Sequence, residues 1–339
     1  MGIVAVELIF GHWFAAKPGL ALLRIPRNVE IAFDDSALAA TGGLKRYRRD
    51  RYGLRGRYDD LSRIDILAIG GSTTNERYVG EGETWTDGLA ANFSRHGKPM
   101  TVVNAGVDGH STVGHIRSFD VWFPTIPRLQ ARYILVYAGI NDVLVHVEGR
   151  ERLDELDTNP SLLRRIGRHI QDRSVLYDVH RMVSGMLLAR SAHLVHGNIQ
   201  WHRVHWEDHA LPQPLADETS LKRRDDYGDR LALLIARIRR FGAQAIVVTQ
   251  QQAGYRRAGE RLLLARGPGI APSLADYQLL TAFNDRAMQV CRAHAAICID
   301  LGAELVFEDG DFYDRFHTTA QGSHRIAAYL FRKLKDVVR

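Results

Sequence analysis

The stretch IDILAIGGSTT, residues 64–74, joins an apolar run to a glycine turn and a serine. Its first half, residues 64–69, is rich in isoleucine and is typical of a buried β-strand. Gly70 and Gly71 allow a tight turn and the close approach of other backbone. The stretch therefore predicts a strand that ends in a turn and presents Ser72, either as a helix N-cap or as part of a binding site.

Strands and helices alternate along the rest of the chain. The strand candidates cover residues 64–69, 100–105, 133–138, 245–249 and 296–300, and the helix candidates cover residues 84–96, 111–130, 227–241, 276–294 and 321–337. Short apolar strands separated by helices favour a parallel sheet covered on both faces. We therefore predict a three-layer α/β/α domain over residues 64–339, with residues 1–63 as an N-terminal extension that contains a strand near residues 28–33.

One interval breaks this rhythm, between the strand ending at residue 138 and the strand starting near residue 245. Apolar residues recur at helical spacing within residues 162–187, and residues 201–209 are rich in Trp and His. Since structureless loops of such length are uncommon, we predict a helical insertion over residues 144–230, placed as a lid over the strand ends. The histidines of residues 201–209 lack an HExxH pattern or nearby cysteines, which favours packing, or stacking on a sugar or acyl chain, over a metal site.

The chain has 339 residues and a formal net charge of +6, from 45 basic and 39 acidic residues. Its densest basic clusters, residues 45–51 and 222–224, are short and contain or adjoin acidic residues, which favours a solvated face over a nucleic-acid site. An anionic substrate such as an acidic polysaccharide stays open as an alternative.

We expect Cys291 and Cys298, which form no CxxC motif, to be two buried free thiols.

No stretch has the length and apolarity of a membrane span, and residues 1–23 lack the pattern of a signal peptide. The compartment stays open between the cytoplasm and a cell envelope reached through a removed anchor. The sequence leaves the oligomeric state open as well.

Polar residues follow several strand candidates, in residues 104–111 and 139–142, and again just before the last helix, in residues 311–317. Loops at the carboxyl ends of parallel strands share one edge of a sheet, so these residues can meet Ser72.

A serine is a weak nucleophile until a base takes its proton. His317 can be that base, and Asp314 can orient its ring. Backbone N–H groups of Ser72 and of a glycine turn, with the Asn141 amide, can stabilise an oxyanion.

These motifs resemble those of the SGNH (GDSL-type) hydrolase family. Residues 70–73 are similar to its first block, Gly109 to its second, residues 139–142 to its Gly-x-Asn-Asp block and residues 314–317 to its Asp-x-x-His block. Their order also agrees, over about residues 64–339. The sequence departs from the usual Gly-Asp-Ser by having Gly-Gly-Ser. Residues 52–56 resemble a segment found upstream in extended members.

The resemblance implies a flavodoxin-like α/β/α fold and a role for each matching residue. Ser72 would be the nucleophile, His317 the base and Asp314 its orienting acid. The N–H groups of Ser72 and Gly109 and the Asn141 amide would form the oxyanion hole. No cofactor or metal is implied.

We therefore expect a serine esterase, and among its substrates we favour O-acetyl groups on carbohydrate. A lipid or acyl-thioester hydrolase is the first rival function and would have an apolar tunnel beneath the insertion. A polysaccharide O-acetyltransferase and an inactive carbohydrate-binding module also stay open.

Five neighbours of the site are expected to have structural roles: Asp142 in bracing its loop, His110 and Tyr313 in packing, and Arg77 and Arg315 in exposed salt bridges. We expect Glu76, too, to form an exposed salt bridge, and contact of Glu76, Arg77 and Arg315 with a charged substrate stays open as the alternative.

Overall fold

The computed structural model of the chain describes residues 13, 23, 25–36, 38, 42–144, 174–177 and 198–339. The strands are β1 (Val29–Asp34), β2 (Leu44–Arg49), β3 (Ile64–Gly70), β4 (Val102–Asn104), β5 (Ala131–Tyr137), β6 (His205–Ala210), β7 (Gln244–Val248), β8 (Tyr255–Ala258), β9 (Arg261–Arg266) and β10 (Ile297–Ile299). The helices used below are α1 (Ser72–Asn75), α2 (Trp85–Arg95), α3 (Thr112–Val121), α4 (Glu218–Phe241), α5 (Leu274–Ala293), α6 (Leu301–Glu304) and α7 (Ala320–Leu334).

A five-stranded parallel sheet in the order β10-β7-β5-β3-β4 forms the centre of the fold. Successive side chains of β3 point to opposite faces, as the pleat requires. Ile66 packs with α2 and α7 on one face, whereas Leu67 packs with α3, α4 and α5 on the other. The predicted α/β/α architecture is therefore confirmed, and no described helix is both long and apolar enough to cross a membrane.

Helix ends agree with local sequence signals. Thr84 and Asp87 form a reciprocal capping box at the start of α2, and Gly242 ends α4 in the left-handed conformation. The helix predicted over residues 111–130 is shorter, because α3 ends at residue 121 and a 3₁₀ turn follows.

The N-terminal extension forms a hairpin of β1 and β2 that packs against the loop after β3. The basic cluster of residues 45–51 supplies β2, so its side chains alternate between solvent and the interior. Arg49 is buried, and so is Arg55 just beyond the strand. The solvated face expected for this cluster is therefore only half correct, because strand pleating turns every second residue inward.

Where Trp and His are dense, the described end of the predicted insertion forms one 3₁₀ turn, Trp201–Arg203, and then a strand. Residues 205–210 form β6, which pairs antiparallel with β9, and β9 pairs in turn with β8. From Glu207 to Ala210 half-buried and exposed side chains alternate, which suits an antiparallel strand and not a helix. The helical periodicity predicted within residues 162–187 lies, apart from residues 174–177, outside the described residues.

The prediction of two free thiols is wrong. Cys291, near the end of α5, and Cys298, in β10, form a disulfide. The short turn between α5 and β10 brings their Cα atoms to 5.9 Å, within the range that a disulfide spans. Because this proximity depends on how the helix turns into the strand, spacing in the sequence gave no sign of it.

Candidate active site

The turn after β3 fixes Ser72 at the carboxyl edge of the sheet. A side chain at Gly70 would place its Cβ 2.5 Å from the Tyr137 carbonyl oxygen, and one at Gly71 would lie 2.2 Å from Asn141 Nδ2. Glycine is therefore needed at both positions for the strand to turn so tightly. Ser72 is the first residue of α1, and Gly71 is its N-cap residue, so the cap role considered for Ser72 is not the one it has.

Ser72, His317 and Asp314 form a continuous hydrogen-bonded chain. Ser72 Oγ lies 2.7 Å from His317 Nε2, and His317 Nδ1 lies 2.8 Å from Asp314 Oδ2. Since the carboxylate accepts the Nδ1 proton, Nε2 is left to accept from the serine hydroxyl. The arrangement can remove a proton from Ser72 when that oxygen attacks an acyl carbon.

Asp314 also shapes the loop that carries the histidine. Its Oδ1 accepts from the backbone N–H groups of Phe316, at 2.8 Å, and of His317, at 2.7 Å. The His317 ring stacks on Tyr313, with 5.7 Å between ring centroids and 12° between planes. The imidazole is thus fixed by an acid on one side and an aromatic ring on the other, which is the packing role expected for Tyr313.

Asn141 and Gly109 line the same pocket as Ser72. Asn141 Nδ2 donates to the His110 carbonyl oxygen at 2.8 Å, which fixes the amide beside the serine turn. Gly109 has a φ of +76°, with open space where a Cβ would lie, so backbone conformation and not crowding requires glycine there. The structure therefore brings together all five residues that sequence reasoning assigned to the site.

Asp142 braces the loop, as expected. Its buried carboxylate accepts from the N–H and hydroxyl of Thr112 and pairs with Arg230 at 3.2 Å. Burial raises the pKa of Asp142, and the Arg230 charge opposes that rise. Asp142 therefore connects the loop after β5 to helices α3 and α4 and lies away from the reacting atoms.

Gln250 is a site residue that sequence reasoning missed. Its Oε1 accepts from Ile140 N–H at 2.8 Å, and its Nε2 donates to Thr73 Oγ1 at 2.8 Å. It thereby joins the loop after β5 to the loop after β3. Gln250 follows β7 as Ser72 follows β3, so the rule that polar residues at strand ends gather at one edge could have identified it.

Three charged residues expected in exposed salt bridges have different environments. Arg315 does pair with Asp276, at 2.9 Å. Arg77 is exposed at the pocket and has no ion pair among the described residues. For Glu76 the expectation is wrong, because the residue is only 4% exposed. Its carboxyl accepts hydrogen bonds from Trp85 N–H and from the Thr318 hydroxyl, since the turn after α1 points into the protein.

The pocket has a volume of about 420 Å³. Tyr78, Tyr313 and Phe316 provide aromatic surface beside Ser72, while Arg77 and Asp108 bring charge to it. A pocket of this size is large enough for a small organic group and part of what carries it.

The Trp/His-rich segment lies outside this lining. Trp201 and Trp206 stack on each other with ring centroids 6.4 Å apart, and the Arg256 guanidinium lies 4.0 Å from the Trp206 ring centre. Trp201 Nε1 donates to the Phe312 carbonyl oxygen at 2.7 Å. The tryptophans therefore pack within the protein, and across the described ranges no three His, Cys, Asp or Glu side chains cluster as metal ligands.

A sequence model of the GDSL-like Lipase/Acylhydrolase family matches residues 68–325. The chain belongs to this family. The matched region runs from β3 to α7 and includes Ser72, Asn141, Asp314 and His317. The protein is thus a GDSL-like hydrolase of ester bonds.

Several solved structures resemble the chain at low sequence identity. A catalytic mutant of Axe2, an acetylxylan esterase from Geobacillus stearothermophilus, is 10% identical, with a TM-score of 0.45, and covers 80% of this chain and 93% of its own. The psychrotrophic esterase EstA from Pseudoalteromonas sp. is 11% identical, with a TM-score of 0.42, and covers 80% and 97%. TesA is 12% identical, with a TM-score of 0.43, and covers 80% and 98%. No curated protein matches the sequence significantly.

Proposed function

We propose that this GDSL-like hydrolase is a serine esterase with Ser72, His317 and Asp314 as its triad. The observation that carries the proposal is the hydrogen-bonded chain from Ser72 Oγ through both His317 nitrogens to the Asp314 carboxylate. Such a chain has the groups that acyl transfer to serine needs: a nucleophile, a base and an acid that fixes the base.

The reaction proceeds in two halves. Ser72 Oγ attacks the ester carbonyl carbon while its proton passes to His317 Nε2. The tetrahedral intermediate then breaks its bond to the alcohol, which leaves with the proton from His317. A water molecule, deprotonated by His317, attacks the acyl-serine and releases the acid, and the proton returns to Ser72.

The developing oxyanion is stabilised by donors that are already in place. We assign this role to the N–H groups of Ser72 and Gly109 and to the Asn141 amide. Because the amide is fixed by the His110 carbonyl, little reorganisation is needed as charge appears on the substrate oxygen.

For the substrate we propose O-acetyl groups on a carbohydrate. Two half-buried aromatic side chains, Tyr78 and Phe316, line the pocket beside Ser72 and offer apolar surface to a sugar ring, whereas Tyr313 is buried against His317. Arg77 adds an exposed donor for hydroxyl or carboxylate groups of the same ligand.

Turnover of p-nitrophenyl acetate, butyrate and octanoate, compared among wild type, Ser72→Ala and His317→Ala, tests this proposal. We expect wild-type hydrolysis with a preference for acetate, and loss of at least about a thousandfold in kcat for each variant. A preference for octanoate would overturn the acetyl assignment. An inactive wild type whose Ser72 is not labelled by a fluorophosphonate would overturn the triad assignment as well.

A further inference from the structure

Glu76 occupies an unusual backbone position next to the proposed nucleophile. It follows α1 with φ 49° and ψ 52°, the left-handed region that residues with a Cβ rarely adopt. Its N–H donates to the Ser72 carbonyl oxygen at 2.8 Å. A glycine would adopt this conformation at lower cost, so the side chain has a role that offsets the strain.

The Glu76 carboxyl joins the nucleophile turn to the loop of the proposed base. Its Oε1 accepts from Thr318 Oγ1 at 2.9 Å and also from the Ser323 hydroxyl in α7. Thr318 is the residue directly after His317. The second carboxyl oxygen, Oε2, accepts from the N–H of Trp85, the first residue of α2, at 2.8 Å.

This carboxyl is buried, and little positive charge lies near it. Burial raises the pKa of Glu76 to about 7, despite three hydrogen bonds that favour the charged form. Arg55 donates to the Glu76 backbone carbonyl oxygen at 2.8 Å, and its charge lowers the pKa of Glu76 only in part. The phenols of Tyr137 and Tyr313 also face the group.

A buried carboxylate is a poor means of stabilising a fold, because its desolvation offsets much of what its contacts contribute. Here it also sits on a strained backbone. Both costs fall at a position from which the side chain connects the Ser72 turn to the His317 loop.

We propose that Glu76 is a positioning residue, which holds the His317 loop against the Ser72 turn through the hydroxyls of Thr318 and Ser323. The inference rests on the proposed function. In this arrangement Glu76 keeps Ser72 Oγ and His317 Nε2 at hydrogen-bonding distance without touching the substrate itself.

The test compares Thr318→Val, which removes the hydroxyl at nearly constant volume, with Thr318→Ser, which keeps it. We expect Thr318→Val to lower kcat for p-nitrophenyl acetate about tenfold with KM changed less than about twofold, and Thr318→Ser to retain most activity. Ser118→Ala is the matched control, because it removes a buried hydroxyl bonded to the Gly114 carbonyl oxygen within α3. We expect Ser118→Ala to leave kcat unchanged.

Glu76→Gln provides a second variant that keeps the shape of the side chain. Its single oxygen can accept from Trp85 N–H while its NH2 group donates to the Thr318 hydroxyl, which reverses that hydrogen bond without removing it, so we expect a smaller fall in kcat than in Thr318→Val. Circular dichroism checks that each variant is folded before kinetics are measured.

The rate at which a fluorophosphonate labels Ser72 separates the positioning role from the triad itself. Slower labelling in Thr318→Val and Glu76→Gln than in wild type supports positioning. If folded variants are labelled and turn over at the wild-type rate, the positioning role is wrong although the triad stands. If wild-type Ser72 is not labelled at all, the proposed triad fails and the positioning role fails with it.

Discussion

Asn141 and Gly71 lie so close together, beside Ser72, that each restricts what can occupy the other position. The amide nitrogen of Asn141 occupies the space where a side chain at Gly71 would begin. The Gly-Gly-Ser sequence thereby leaves room for the amide to lie beside Ser72. A residue with a Cβ at position 71 requires Asn141 to move.

At the residue scale, Asn141→Ala removes a proposed oxyanion donor. We expect kcat for p-nitrophenyl acetate to fall about 10²- to 10³-fold, with little change in KM, because the donor acts mainly on the transition state. Gly71→Ala is expected to reduce kcat less, since it displaces the amide without removing it. Gly43→Ala is the control, because open space surrounds that glycine. Wild-type kcat in Asn141→Ala would exclude the residue from the oxyanion hole.

Glu76 also predicts how stability depends on pH. Its pKa is about 7 in the folded chain, against 4.5 for an unperturbed glutamate. Between these values the folded chain keeps a proton that the unfolded chain has lost. The Glu76 contribution to the free energy of unfolding therefore falls as pH rises from 4.5 to 7, by up to about 3 kcal/mol.

The Glu76→Gln variant lacks this fall in the free energy of unfolding with rising pH, because an amide does not titrate. We expect the free energy of unfolding of the variant, relative to wild type, to increase between pH 5 and pH 8 in urea titrations. The exposed Glu260→Gln is the control and should show no such trend. A difference between Glu76→Gln and wild type that is constant with pH would contradict the effect assigned to burial.

At the scale of elements, the segment after β2 supports the serine loop with the buried Arg55. Its guanidinium donates to the backbone carbonyl oxygens of Asn75, Glu76 and Val79 and pairs with Glu81 at 2.6 Å. The N-terminal extension thus provides the hydrogen bonds that the irregular loop after α1 does not make for itself.

Arg55→Met tests this support. It keeps much of the apolar stem but leaves buried carbonyl oxygens without donors, so we expect the free energy of unfolding to fall by about 3–5 kcal/mol in urea. Arg51→Met is the matched control, because the Arg51 side chain is exposed beside Tyr52 and should contribute less than about 1 kcal/mol. Equal stability of the two variants would show that the extension does not support the loop.

At the scale of the whole molecule, the central sheet could be predicted because its strands are continuous apolar runs. The hairpin of β8 and β9 could not, since its sequence is short and rich in arginine. The disulfide depends on one turn between α5 and β10, which local sequence does not determine. Within the site, Ser72, Asn141, Asp314 and His317 match short motifs, whereas Glu76 looks like a surface residue until the fold encloses it.

The spacing of the proposed triad along the chain has a consequence for biosynthesis. Ser72 and its partner His317 are 245 residues apart, with the serine just after β3, the second strand from one edge of the sheet, and the histidine just before α7. During translation Ser72 leaves the ribosome 245 residues before His317. A nascent or truncated chain that stops between the two residues therefore carries the proposed nucleophile without its proposed base.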